Sequence, residues 1–332
     1  MQDLQDAWGD LGGFARPGLI LAVGGANLDI RARIAGRVMS ASSNPGVVTV
    51  APGGVARNIA HALALLGERV SLLSAVGDDE HGEQLLSACE AAGIDCRHVR
   101  RIPGPTGIHI ATLGSDGELV IGVSHMTAVG QLRPCEIAEV ERTIEEAAVV
   151  VADTNISSET LLALGQRAER HSVPLVIEPV SVAKSARIRP LIAAGLPIAL
   201  ITPSRDELGA LTGHRIVHMD DVVRGADSLH EQGVERLVVG LGHEGIFVSS
   251  SEGRVRLPAH SEQSLDMSAG SEVGLAALIW ALRDGADLIN AARAGQVAAA
   301  LAVASDENVP EKLAPSLLSR AMAHANAMPE RS

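Results

Sequence analysis

The sequence predicts an α/β protein: a doubly wound, mostly parallel sheet flanked by helices and carrying a small β lid. Three observations lead there. Apolar runs of strand length recur at 19–24, 148–153, 175–178, 198–202 and 236–240, spaced by stretches long enough for a helix each. That alternation is the mark of repeated βα units in a parallel sheet. Two further segments, near 28–50 and 105–123, are short, β-like and broken by turns, so they belong to a separate β element.

Taken in order, residues 1–17 are polar and Gly-rich and read as a leader, loose or docked as a short helix. The run LILAVG at 19–24 reads as a buried strand ending in glycine. Ser42-Ser43-Asn44-Pro45-Gly46 is a strong turn signal within the first lid segment. NIAHALALL at 58–66 reads as an apolar-faced helix stopped by Gly67, followed by a strand at 70–76 and a helix at 81–92. Strands at 107–113 and 118–123 flank Ser115-Asp116-Gly117, and Asp-Gly between apolar runs signals a hairpin. After the strands already named, 273–282 and 288–304 read as the last long helices. The expected organisation is one α/β domain over 18–325 with its lid, then a tail at 326–332. In such sheets ligands bind beyond the C-terminal strand ends, so residues just after strands are the first suspects.

Composition limits the function. The 332 residues, 46% hydrophobic and 20% charged, suit a folded globular protein. Trp8, Phe14, Phe247 and Trp280 are its only aromatics, and its net charge is −13, which speaks against base-stacking nucleic-acid binding. Phosphate must therefore be held locally, by backbone amides, a metal or a few basic side chains. Cys89, Cys96 and Cys135 show no metal spacing and read as reduced thiols. No apolar run is long enough for a signal peptide or a membrane span, so cytoplasm is the expected location.

Two glycine turns carry the first functional signal. Gly24-Gly25-Ala26-Asn27-Leu28-Asp29 delivers an amide and a carboxylate together after a strand, a set able to grip vicinal hydroxyls or to close an Asx turn. Pro52-Gly53-Gly54-Val55-Ala56-Arg57-Asn58 runs into a helix, where paired glycines permit close backbone approach, with Asn58 as a simple N-cap the plainer alternative. His109, His125 and His243 lack metal spacing and read as surface or lid residues, and Glu244 and the Asp220-Asp221 pair read as solvated.

Together the two turns resemble the sugar-binding half of the ribokinase-like (PfkB) carbohydrate kinases, with their G-x-x-N-x-D and G-G-x-x-x-N-x-A-x-x-L-x-x-L-G patterns. The second is matched without a gap by Gly53, Gly54, Asn58, Ala60, Leu63, Leu66 and Gly67. Ser43-Asn44-Pro45-Gly46, Leu73-Ser74-Ala75-Val76-Gly77, Asp153-Thr154-Asn155-Ile156-Ser157 and Glu178-Pro179-Val180-Ser181 are similar to stretches of pseudouridine kinases. The resemblance implies that Asn27, Asp29, Asn44, Gly53, Gly54 and Asn58 face the ribose, with Asp153, Asn155 and Lys184 lining the cleft.

The phosphate half departs from the family pattern. D-T-x-G-A-G-D opens a helix there, its amides forming an anion hole and its last Asp acting as the base. Here the segment reads Asp266-Met267-Ser268-Ala269-Gly270-Ser271-Glu272. Two hole positions, Ala269 and Ser271, gain a Cβ, and the base position holds Glu272, whose extra methylene displaces the carboxylate by more than about 1 Å, a shift that can cost about a hundredfold in rate. The N-x-x-E pattern appears as Ser204-Arg205-Asp206-Glu207, and T-x-G-x-x-G as Gly240-Leu241-Gly242-His243-Glu244-Gly245. By resemblance Ser204, Glu207, Gly240, Gly242 and Gly245 meet the nucleotide, with Glu207 holding Mg2+ through water. The implied activity is ATP- and Mg2+-dependent phosphorylation of the 5'-hydroxyl of a ribosyl nucleoside, pseudouridine first, with a monovalent cation left open. The alternative is a protein that keeps the fold and binds a nucleoside or sugar without phosphotransfer. The lid's open strand edges mark it as a place where a second copy could dock.

Overall fold

In the computed structural model, residues 14–259, 270–305 and 307–327 are described. The apolar runs become strands wherever β-branched residues alternate between two buried faces. In β1 (Leu19–Val23), Ile20 and Ala22 join one hydrophobic cluster while Leu21 and Val23 join another. β9 (Ala147–Asp153) divides likewise, sending Val149 and Val151 to the first cluster and Val150 and Ala152 to the second. Such strands can only lie inside a sheet covered on both sides.

Numbering the remaining strands along the chain, β2 is Asn27–Ile34, β3 Gly46–Gly53, β4 Val70–Leu73, β5 Ala75–Gly77, β6 Arg100–Ile102, β7 Ile108–Leu113 and β8 Leu119–His125. β10 is Leu175–Glu178, β11 Leu200–Ile201, β12 Arg236–Gly240, β13 Ile246–Ser250 and β14 Gly253–Leu257. The main sheet has the order β14-β13-β12-β11-β10-β9-β1-β4 and is parallel except for the antiparallel edge made by β12, β13 and β14. Helices of eight or more residues are α1 (Val55–Leu65), α2 (Glu80–Ala91), α3 (Ser158–Arg170), α4 (Arg205–Thr212), α5 (Met219–Glu231), α6 (Ser271–Arg283), α7 (Leu288–Val303) and α8 (Pro315–Ala327). The first cluster takes buried residues from α1, α2, α6, α7 and α8, and the second from α3, α4 and α5, so helices cover both faces. α6 and α7 approach closely because Gly274 and Gly295 face each other, and a Cβ on Gly295 would lie 2.9 Å from the Gly274 carbonyl oxygen.

Four readings change. The run at 70–76 is two strands in different sheets, broken at Ser74, whose hydroxyl donates to the Gly24 carbonyl at 2.6 Å. Helix 288–304 is followed by another, α8, which buries Leu318 against the first cluster. The β13–β14 hairpin had no separate signal, because its apolar residues alternate with Ser and Arg in a short span. Residues 14–17 are docked: Phe14 is fully buried, and Arg283 donates to the carbonyls of Phe14 (3.3 Å) and Arg16 (3.1 Å).

The second sheet, ordered β3-β2-β7-β8, is the separate β element expected of residues 28–50 and 105–123, for which the word lid is kept. Its register puts Asp29, Arg31, Thr49, His109 and Ser124 on one face, and the His109 ring is 2.7 Å from the Ser124 hydroxyl. The opposite face carries Ile30, Ala32, Val48, Val50, Ile110, Ile121 and Val123.

Candidate active site

The sugar half is assembled where β1, β2, β3 and α1 meet. Gly54 caps α1 at φ 100, a left-handed conformation that favours glycine, and a Cβ there would lie 2.5 Å from the Gly25 carbonyl oxygen. Gly53 is required for a different reason: its Cβ would sit 2.3 Å from Asp29 Oδ2, so the bare backbone makes room for the carboxylate. Asn27, almost wholly buried, donates from Nδ2 to Asp29 Oδ1 at 2.7 Å. Asn308 donates to Asp29 Oδ2 at 2.7 Å and to the Pro52 carbonyl at 2.9 Å. Asn308 has no sequence signal; it lies in an irregular stretch beyond α7. Asn58 stands in the first turn of α1, with its Oδ1 accepting from the buried Arg57 at 3.0 Å.

Asp153 does not take the place expected of it, and Asn44 is held by its own loop. Asp153 is fully buried at the end of β9, where its Oδ2 accepts the amides of Gly25 (2.7 Å) and Ala56 (2.9 Å) and its Oδ1 that of Asn155 (2.7 Å). Burial pushes its carboxyl up from the ordinary range, against the pull of these amides. It fastens the glycine turn and the start of α1 to the sheet, so it supports the pocket from behind instead of lining the cleft. Asn44 is exposed, and its amide closes a local loop by accepting from the Met39 amide (2.7 Å) and donating to the carbonyls of Met39 (2.9 Å) and Ser42 (3.0 Å). Asn155 and Lys184 do meet, Lys184 Nζ donating to Asn155 Oδ1 at 2.6 Å. Arg187, unmarked in the sequence, braces this loop by donating to the carbonyls of Thr154 (2.9 Å), Asn155 (2.9 Å) and Ile156 (3.2 Å).

The phosphate half surrounds a cavity of about 210 Å3 lined by Glu178, Thr202, Ser204, Glu207, Gly240, Ser271 and Glu272 among others. α6 opens at Ser271 with Gly270 as its N-cap and no side-chain cap hydrogen bond, so the start of a helix faces the cavity, with the Glu272 amide met by its own carboxyl. Ser271 and Glu272 line the cavity; Gly270 packs against α7, where a Cβ would lie 2.6 Å from the Ala299 carbonyl oxygen. Ala269, with the rest of 266–269, lies outside the described residues. Ser204 and Glu207 form a capping box on α4: the Ser204 amide donates to Glu207 Oε2 (2.8 Å) and the Glu207 amide to Ser204 Oγ (3.3 Å). Gly240 lines the cavity, but Gly242 and Gly245 are not among its lining residues. Gly245 serves the edge hairpin, since its Cβ would lie 2.0 Å from the Leu257 carbonyl oxygen.

Two acids are strongly perturbed. Burial pushes the Glu272 carboxyl up to about 7, with the negative charges of Asp29 and Asp153 adding to it, while its own amide and the Ser271 hydroxyl (3.4 Å) pull the other way. Its side chain keeps a partly open edge on the cavity although protein surrounds the carboxyl. Burial likewise pushes Glu178 up to about 8, opposed by the Thr202 hydroxyl at 2.6 Å and reinforced by the charges of Glu207 and Glu272. In the sequence the one sign of Glu178 is an acid that ends an apolar strand just before Pro179. Val180, two residues on, lines the cavity at φ 68, a costly conformation for a β-branched residue and of the kind that clusters at functional sites. Glu272 thus feels the charges of Asp29 and Asp153, and adds its own to the field at Glu178.

This donor set fits a nucleoside triphosphate with a divalent cation: amides at a helix start for phosphate, and Glu207 and Glu178 for the cation's shell. Among the described residues no group of three His, Cys, Asp or Glu could hold a metal by itself, so a cation here would share its ligands with phosphate and water. A family model described as pfkB family carbohydrate kinase matches residues 18–309. The chain belongs to that family. Its members are phosphotransferases. The pseudouridine kinase of Escherichia coli strain K12 is 30% identical over 289 residues, covering 86% of this chain and 91% of that protein. A protein of the same strain named uncharacterized sugar kinase YeiI is 32% identical over 289 residues, covering 86% of this chain and 78% of its own. Among solved structures, the Arabidopsis thaliana ribokinase complexed with ribose and ATP superposes with a TM-score of 0.77 at 20% identity, covering 92% of this chain and 99% of that one. The fold is accordingly the ribokinase-like α/β fold. Among the described residues no helix is long and apolar enough to cross a membrane.

Proposed function

We propose that this chain is an ATP- and Mg2+-dependent kinase of the cytoplasm that phosphorylates the 5'-hydroxyl of a ribosyl nucleoside, pseudouridine first, with Glu272 as the base. The observation that carries the reading is the place of Glu272, in the first turn of α6 and lining one cavity with Glu178, Ser204 and Glu207. Mg-ATP supplies the phosphoryl group and neutralises its charge; the protein's part is positioning and electrostatics. Asn27 and Asp29 orient the sugar. The first amides of α6 face the developing phosphoryl charge, and ionised Glu272 takes the proton of the acceptor hydroxyl. Similarity to pseudouridine kinase supports the choice of substrate. An ADP-release assay with Mg-ATP and pseudouridine, uridine, ribose and fructose tests it: turnover with pseudouridine above the others is expected, and turnover with fructose or ribose alone would overturn the nucleoside assignment.

A second reading, binding without transfer, draws on one observation. The Glu272 carboxyl rests against its own backbone amide and the Ser271 hydroxyl, over the helix start where a phosphoryl group belongs. Transfer requires that side chain to swing clear. Stabilisation by a nucleoside with none by Mg-ATP, and no turnover, would favour this reading.

We also propose that the lid docks on a second copy of this chain. Val48, Val50, Ile121 and Val123 on its outer face are each more than half exposed, and β3 and β8 are open edges. An aliphatic face without charge is complementary to itself and to little else on so acidic a protein. Light scattering should give a dimer for the native chain and a monomer of unchanged thermal stability for Val48→Asp; a native monomer at micromolar concentration would end the idea.

A further inference from the structure

The Asp29 carboxylate is held from both sides by side-chain amides. Asn27 donates to Oδ1 at 2.7 Å and Asn308 to Oδ2 at 2.7 Å. Asn27 is two residues away, whereas Asn308 comes from beyond α7, 279 residues along the chain. The orientation of the Asn308 amide is fixed, because its Nδ2 also donates to the Pro52 carbonyl at 2.9 Å while its Oδ1 accepts from the Arg31 guanidinium. Exchanging the amide's oxygen and nitrogen would point oxygen at a carboxylate and a carbonyl and nitrogen at a guanidinium. Asn308 therefore presents only a donor to Asp29.

We infer that Asn308 is a positioning residue of the sugar pocket, holding the Asp29 carboxylate so that its two oxygens accept a pair of adjacent hydroxyls on one substrate ring. A carboxylate turns freely about its last bond unless both oxygens are engaged. With one N–H on each oxygen the plane is set, and each oxygen can accept a further hydrogen bond. A fixed pair of acceptors suits a cis diol, as on a ribosyl ring, and penalises a deoxy ring, which leaves one oxygen with an unfilled partner. The inference rests on the nucleoside or sugar reading above and adds the diol as the chemical group that Asn308 selects. It also explains why Asn308 bonds to Asp29, Arg31 and Pro52 at once: all three lie on β2 or β3, so one side chain fixes the lid's sugar-facing edge to the body.

Calorimetric titration without ATP separates the possibilities, since it needs no turnover. The native chain and Asn308→Ala, Asn308→Gln and Asn308→Asp are titrated with pseudouridine, uridine, 2'-deoxyuridine and ribose, and their thermal midpoints are recorded. Asn308→Ala is expected to weaken the best ribosyl ligand about tenfold or more while weakening the deoxy ligand far less, so that the ribosyl-to-deoxy preference shrinks. Asn308→Gln should restore part of that preference. Asn308→Asp, almost isosteric but placing a second carboxylate against Asp29, should bind worse than Asn308→Ala. An unchanged preference in Asn308→Ala, whatever its midpoint, would leave Asn308 a structural tie and overturn the inference alone. A native chain that binds none of the four ligands would overturn the nucleoside and sugar reading, and the inference with it.

Discussion

Asp153→Ala should be among the most destabilising single substitutions in this protein. Its carboxylate is the acceptor for three buried amides, those of Gly25, Ala56 and Asn155. Each amide left without a partner costs about 1–3 kcal/mol, and the cavity adds to that. Relief from burying a carboxylate offsets part of the loss, which leaves a net cost of about 4 kcal/mol, a large share of the 5–15 kcal/mol typical of a domain. Asp153→Asn keeps the volume and can place its oxygen toward Gly25 and Ala56, but its NH2 then confronts the Asn155 amide, so an intermediate cost is expected. Urea unfolding of both variants measures this. A loss below about 1 kcal/mol for Asp153→Ala would show that water replaces the carboxylate and that Asp153 is not the fastening point.

Glu272→Gln should lower turnover about a thousandfold, within the range for removal of a positioned base, while nucleoside affinity changes little. The pH profile supplies the independent check. A base works ionised, and burial raises the Glu272 carboxyl to about 7. Activity should therefore climb as pH rises through about 7 and level off above it, and the residual activity of Glu272→Gln should lack that limb. The same shift has a stability consequence of opposite sign. A carboxyl raised from 4.5 to about 7 contributes stability that is fully present below 4.5 and is lost as pH rises through about 7, so Glu272→Gln should flatten that decline. An unchanged limb in the variant would assign the titration to another group, with Glu178, raised to about 8, the first to test.

The sheet was legible because period-two burial writes itself into consecutive apolar residues: the strand at 175–178 was read with its observed bounds, and the hairpin about Asp116 and Gly117 with nearly its observed ones. β13 and β14 were not, since β13 has only three apolar residues before two serines, and β14, at the sheet edge, alternates Arg with apolar residues. In the site, glycines announced themselves. Gly53 and Gly54 are needed for reasons that hold at any such turn and point to Asn58, as the Gly24-Gly25 turn points to Asn27 and Asp29. Asp153 was located but given the wrong task, because an acid after a strand looks the same whether it faces solvent or accepts three amides from behind. Asn308, Arg187 and Glu178 went unassigned for a common reason. Their roles come from contacts far along the chain or from burial, neither of which leaves a local pattern.

The body of the protein holds the phosphate half, whereas Asp29 belongs to β2, a strand of the lid. If Asp29 holds the sugar as proposed, grip on the sugar and position of this sheet are one variable. On the proposed reading, an affinity measured for a nucleoside would include the free energy of holding this sheet in place, and would be weakened by whatever fraction of molecules held it elsewhere. Anything that steadies the lid from outside, a second copy on its aliphatic face or the Asn308 contact on its inner edge, tightens ligand binding without touching the ligand. By reciprocity, a bound nucleoside strengthens that outside contact by the same factor.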